Sequence, residues 1–204
     1  MNENEVRVYK INVTNYKCNK IPQVELSIIN PADDVEAKAA VKAAAEFEGP
    51  VYMRFGRLAA PVFNDEADYK FELGKGVQLR EGKDVTIVAT GLMVYEAVKA
   101  AKTLAESGID ARVINIHTIK PIDKDIILKA AAETKCIVTV EEHSVIGGLG
   151  SAVAEVTAEG CPCRVVKIGV NDRFGYSGPA ADLLKEFGLC EENIVETVKK
   201  ALKA

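Results

Sequence analysis

Apolar residues recur along this chain in two rhythms. After a first stretch, residues 1–23, which mixes Asn, Lys, Glu and Tyr without a clear period, residues 24–29 (Val-Glu-Leu-Ser-Ile-Ile) alternate as a half-buried strand does, and Asn30-Pro31 breaks the run. Val6–Tyr9 and Ile11–Val13 are candidate short strands that nothing else specifies. Asp33 and Asp34 stand where a helix N-terminus favours negative charge, and the Ala-rich residues 35–47 propagate a helix that Gly49-Pro50 ends. Residues 51–55 are again strand-like, so 24–57 form one strand–helix–strand unit, a piece of a parallel sheet.

Residues 56–74 carry little periodicity and are read as a linker between two structural units. Beyond them the alternation of elements is complete. Short strand 76–79 precedes buried strand 85–89, and Val94, Ala97, Val98, Ala101 and Leu104 then make one apolar helical stripe, capped at Gly108. Strand 111–116, helix 123–133, strand 137–140, a helix opened by the glycines at 147, 148 and 150, strand 165–168 and helices 180–187 and 191–202 complete the chain. This order predicts an α/β fold: an open, mostly parallel sheet with helices on both faces.

Composition narrows the function. The 204 residues are 48% hydrophobic and 27% charged, which excludes a disordered chain and lets roughly 70% of the extended surface be buried. The formal net charge of -4 argues against nucleic-acid binding, and no run of about 18 apolar residues exists to span a membrane. Met1-Asn2-Glu3-Asn4-Glu5 lacks the basic and apolar regions of a secretory signal. The cysteines, Cys18, Cys136, Cys161, Cys163 and Cys190, are odd in number and scattered, as expected of reduced thiols in a cytoplasmic protein. A metal at Cys161-Pro162-Cys163 would need further ligands, and the chain has only His117 and His143 to offer among histidines.

Three features bear on chemistry. Gly147-Gly148-Leu149-Gly150 lies between a strand and a helix, where phosphates bind, but it is neither a dinucleotide fingerprint nor a phosphate loop; tight packing of helix on sheet explains it as well. Glu141-Glu142-His143 ends a strand at the carboxyl edge of the sheet, a place for acid–base chemistry or for a structural histidine; His117, in a Thr-Ile-Lys-Pro turn, is read as structural. Arg54 and Arg57 flank Phe55-Gly56 at a strand end, as an anion clamp or as surface ion pairs. No Ser-His-Asp order with a nucleophile elbow is present. On these residues alone the chain is an α/β domain with an anion-binding possibility.

A resemblance adds specificity. Ile29-Asn30-Pro31-Ala32-Asp33-Asp34-Val35-Glu36-Ala37, Gly49 to Arg57, Val88-Ala89-Thr90-Gly91, Asn115 to Asp123, Val140 to Ala152 and Phe174-Gly175-Tyr176-Ser177-Gly178-Pro179 resemble the C-terminal portion of transketolases, closest to the split form made as two chains. Several of these strings also resemble deoxyxylulose-phosphate synthases and 2-oxo-acid dehydrogenase β chains. The resemblance implies a remnant of a pyrimidine-binding domain at 24–60, a linker at 61–74 and a transketolase C-terminal domain at 75–204. It implies transfer of two-carbon ketol units between sugar phosphates, in the pentose phosphate pathway, with thiamine diphosphate and a divalent metal such as magnesium in the complete enzyme. By it Arg57 binds the sugar phosphate, Arg54 is a second candidate at a position that is apolar in many transketolases, and the C-terminal domain packs a homodimer that meets an N-terminal transketolase subunit. Glu142, His143 and the glycines look structural on this comparison too.

The departure from the family is as informative. No counterpart of the catalytic glutamate segment or of the aromatic that stacks on the cofactor is found upstream of Val24. The expectation is therefore a truncated piece, a damaged reading frame or a partial subunit that binds no cofactor and is inactive alone. The rival from another class is a non-catalytic dimerisation or regulatory domain.

Overall fold

The computed structural model describes residues 26–56 and 59–203. In chain order its elements are β1 (Ser27–Ile29), α1 (Asp34–Glu46), β2 (Val51–Met53), β3 (Val77–Arg80), β4 (Val85–Ala89), α2 (Met93–Glu106) and β5 (Ala111–Asn115). They continue with β6 (Thr118–Lys120), α3 (Lys124–Glu133), β7 (Cys136–Ser144), α4 (Leu149–Gly160), β8 (Arg164–Val170), α5 (Ala180–Glu186) and α6 (Glu191–Lys203). The candidate strands within 1–23 lie outside the described residues.

The larger sheet has the order β3-β5-β4-β7-β8, parallel throughout except for β3, which runs antiparallel along one edge. Its central strands are near-continuous apolar runs because both faces are covered. Ile87, Val113 and Val138 point to one side, where Met93, Ala97 and Leu104 of α2 and Ile194 and Val198 of α6 close a core. Val88, Ile114 and Ile137 point to the other, against Ile127 of α3 and Leu149 and Val153 of α4. The two-residue alternation of each strand thus feeds two separate cores. This is the open, mostly parallel sheet with helices on both faces that the pattern predicts.

β1, α1 and β2 form the expected strand–helix–strand unit, β1 and β2 pairing in parallel. Asp33 caps α1, its Oδ1 accepting from the Glu36 amide at 2.9 Å. The turn anticipated at Thr-Ile-Lys is instead a short strand, β6, which pairs antiparallel with β1 and makes the small sheet β2-β1-β6. Three residues are too few to show a period, and β6 forms because β1 presents an open edge to it.

The segment 61–74 contains neither helix nor strand, yet it is pinned near its start and at its middle. The amides of Phe63 and Asn64 donate to Asp33 Oδ2 at 3.0 and 2.9 Å, and Tyr69 Oη donates to Glu36 Oε1. Glu36, fully buried on α1, also accepts from the Ala32 amide at 2.6 Å and from Asn115 Nδ2 of β5 at 2.8 Å. One carboxylate therefore joins the small unit, the linking segment and the large sheet.

Candidate functional site

Parallel strands bring their carboxyl ends to one edge, and the ends of β2, β4 and β7 meet there. Arg54 follows β2 directly. Its backbone amide donates to the Ile29 carbonyl at 2.8 Å, continuing the β1 ladder, and its Nη2 donates to the Glu142 carbonyl at 2.5 Å. A guanidinium has five N–H donors, so most of this one is left for another acceptor.

The last residues of β7 divide their roles. Glu141 is buried, and its carboxylate turns back to accept from the amides of Leu149 at 2.7 Å and Gly150 at 2.8 Å. The anion expected at the N-terminus of α4 is thus the protein's own. A Cβ at position 148 would lie 2.0 Å from Glu141 Oε2, and one at 150 would lie 2.7 Å from Thr139 Oγ1. The glycines therefore permit close packing of α4 on the sheet and on Glu141. His143 is half-exposed; its Nδ1 lies 3.0 Å from the Ser144 carbonyl and 3.9 Å from Glu141 Oε2.

Two cavities open on either side of Arg54 and His143, and both residues line each of them. The larger, about 830 Å³, is walled by apolar residues including Leu183 and Phe187 of the α5 region and by Tyr176. Tyr176 stacks on Phe187 at 5.8 Å, and the Arg173 guanidinium lies 4.4 Å from the Phe187 ring centre while donating to the Glu186 carbonyl at 2.7 Å. The Phe-Gly-Tyr-Ser-Gly segment is held over α5 in this way. The smaller cavity, about 180 Å³, adds Asn30, Tyr52, Thr90 and Glu141. Gly91 adopts φ +57°, and a Cβ there would strike the Asn30 side chain, so this turn brings β4 and Asn30 together.

Arg57 lies outside the described residues. His117 is buried at the junction of the two sheets, remote in role from these cavities: its Nδ1 lies 2.9 Å from Thr118 Oγ1, its ring packs tilted against Phe71 with centres 4.3 Å apart, and its carbonyl accepts from the Asn30 amide at 2.8 Å. Burial pushes its pKa down to about 4, which keeps the imidazole neutral. Burial raises the Glu36 carboxyl, opposed by its three donors. Burial opposes ionisation of Asp33 as well, but the amides of Glu36, Asn64 and Phe63 outweigh it and hold this carboxyl below its ordinary value. Glu36, Tyr69 and Asn115 had no signal in the pattern beyond a Glu inside an Ala-rich helix. Glu141 did have one, a carboxylate closing a buried strand just before a Gly-Gly-x-Gly turn.

The model of the transketolase C-terminal domain family matches residues 74–194. The chain belongs to this family. It is 44% identical over 178 residues to a putative transketolase C-terminal section from Methanocaldococcus jannaschii, covering 86% of this chain and 55% of that one. It is 40% identical over 182 residues to a 1-deoxy-D-xylulose-5-phosphate synthase from Heliobacterium modesticaldum, covering 88% of this chain and 28% of that enzyme. A solved structure described as a split gene transketolase, inactive β4 tetramer, superposes with a TM-score of 0.82 at 49% identity, over 88% of this chain and 57% of that one. The chain spans about half the length of the split-type relatives it matches.

Transketolases use thiamine diphosphate, and the described residues can be tested against that need. The two fully internal carboxylates, Glu36 and Glu141, have their oxygens taken by donors of this chain. No three His, Cys, Asp or Glu side chains among the described residues converge as metal ligands. The described residues do not compose a site for this cofactor and its metal. Among them no helix is long and apolar enough to cross a membrane.

Proposed function

We propose that this chain is the C-terminal component of a cytoplasmic transketolase that transfers two-carbon ketol units between sugar phosphates, as in the pentose phosphate pathway. It meets an N-terminal transketolase subunit and pairs with a second copy through its C-terminal domain. Thiamine diphosphate with a magnesium ion belongs to the assembled enzyme. The observation that carries the reading is Arg54, presented at the carboxyl edge beside two cavities within a chain of this family. Arg57, three residues on, is the main clamp for the sugar phosphate, and Arg54 assists. The role of this chain is then to bind and orient the anionic end of the substrate.

In the complex reconstituted with its N-terminal subunit, Arg57→Ala should raise the Michaelis constant for phosphorylated sugars by about 10- to 150-fold. That is the loss of a charge-assisted contact of about 1.5–3 kcal/mol. An unchanged constant would reject the clamp and favour a non-catalytic dimerisation or regulatory role. The chain alone should show no turnover and no cofactor binding, a reading that the inactive tetramer of the split-gene neighbour supports. Titration calorimetry that detects micromolar thiamine diphosphate binding by the isolated chain would overturn it.

The 40% identity to a deoxyxylulose-phosphate synthase favours one second reading, in which the same arginines hold the same phosphate but pyruvate is the donor. Assays of the reconstituted enzyme with pyruvate and with xylulose 5-phosphate separate the two.

A further inference from the structure

We propose that the larger of the two cavities binds a free α-amino acid with an apolar or aromatic side chain. This site stands apart from the sugar-phosphate clamp assigned to Arg57 and takes no part in ketol transfer.

The topology places the cavity where an open α/β sheet leaves room for a ligand. From β4 the chain crosses to β5 on one side, then returns past β4 to β7 on the other, so the strand order reverses between β4 and β7. The helices that follow these two strands leave to opposite faces, α2 into one core and α4 into the other. A crevice therefore opens beyond the carboxyl ends of the pair. Leu92, between β4 and α2, and Glu142 to Ser144 of β7 line it. Its volume of about 830 Å³ falls within the roughly 300–1,000 Å³ of small-molecule sites.

The lining divides as an amino acid does. Leu183, Leu184, Phe187 and Leu189, with Tyr176, make a wall that gains from covering an apolar side chain. The charged groups gather at the strand ends. Arg54 gives one donor to the Glu142 carbonyl and keeps others for a carboxylate. Glu141 turns its own carboxylate back to α4, whereas Glu142, next along the strand, lines the cavity and joins no ion pair among the described residues. His143 Nδ1 lies 3.0 Å from the Ser144 carbonyl, which only accepts, so the neutral ring leaves Nε2 as a second acceptor. One cation and one carboxylate, neither paired with the other, thus border the same apolar wall. A zwitterion answers both charges, whereas a simple anion would face Glu142 and a simple cation would face Arg54.

The chain has two histidines, of which only His143 borders the cavity, so proton NMR of the full chain reads occupancy directly. L-Phenylalanine should move the His143 Cε1–H signal along a saturating curve, through its ring current, and leave that of His117 still. By calorimetry L-phenylalanine should bind about tenfold or more tighter than 3-phenylpropionate, which lacks the ammonium, and than 2-phenylethylamine, which lacks the carboxylate. Glycine, without a side chain for the wall, should not saturate. Arg54→Gln should erase the advantage over 2-phenylethylamine and keep the other; Glu142→Gln should erase the advantage over 3-phenylpropionate and keep the other. Because each variant retains one preference, loss of a contact is told apart from loss of the fold. A shift linear in concentration, 3-phenylpropionate binding as tightly as L-phenylalanine, or preferences unmoved by both substitutions overturns the site.

Discussion

Glu36→Ala should destabilise the protein by about 3–5 kcal/mol, lowering its melting temperature by roughly 10 °C. The substitution removes the acceptor shared by the Ala32 amide, Asn115 Nδ2 and Tyr69 Oη, in a place with no solvent to replace it. Each abandoned buried donor loses about 1–3 kcal/mol, and partial entry of water keeps the sum below the simple total. The loss falls on the joint between the β1–α1–β2 unit and the large sheet, because the three donors come from both sides of it. Hydrogen exchange in β1 and α1 should therefore rise before exchange in β4 and β7. A change in the urea midpoint under 1 kcal/mol in equivalent stability would show that Glu36 is dispensable to the joint. Glu36→Gln keeps the volume and separates charge from packing. Burial raises the folded-state pKa of Glu36, so its contribution is fully present below the unfolded value of 4.5 and is lost as pH rises through the folded value. Glu36→Gln should remove that component of the pH dependence.

The large sheet was legible because its strands are apolar on both faces. Residues 85–89 and 136–140 are buried without interruption, which makes apolar runs in the sequence broken only by Thr86 and Thr139. The helices were legible from their stripes, and α1 from Asp33, whose cap fixes the first turn. What escaped the pattern depends on contacts between distant residues. Arg54 reaches a carbonyl 88 positions away, and Asn115 reaches Glu36 across 79. A charged residue in an Ala- and Lys-rich helix looks like a solvated one, so Glu36 gave no sign of burial. The strand β6 exists only because β1 accepts it. The candidate site follows the same division: the type and order of its residues were visible as Arg54 at a strand end and Glu141-Glu142-His143 at another, while their meeting was a property of the folded edge.

His117 should make the protein sensitive to acid within a defined window. Its folded-state pKa is pushed down to about 4 by burial, against an unfolded value of 6.5. A histidine lowered in this way favours folding fully above the unfolded pKa, and the contribution is lost as pH falls from 6.5 to 4, because the unfolded chain takes up the proton first. The shift corresponds to on the order of 3 kcal/mol. Protonation would place a charge between Phe71 and Thr118, beside the carbonyl that anchors Asn30 and so the strand β1. The same joint that Glu36 holds from one side is thus sensed by His117 from the other. His117→Phe preserves the ring against Phe71 and removes the titration, at the expense of the hydrogen bond to Thr118. Urea unfolding at pH 6.5 and pH 4 should show the native chain losing about 3 kcal/mol more than His117→Phe over that interval. Glu36 titrates in both proteins and cancels in the difference. Equal losses in the two would mean that His117 binds its proton as readily in the folded chain as in the unfolded one, and that the ring is not sealed at the junction.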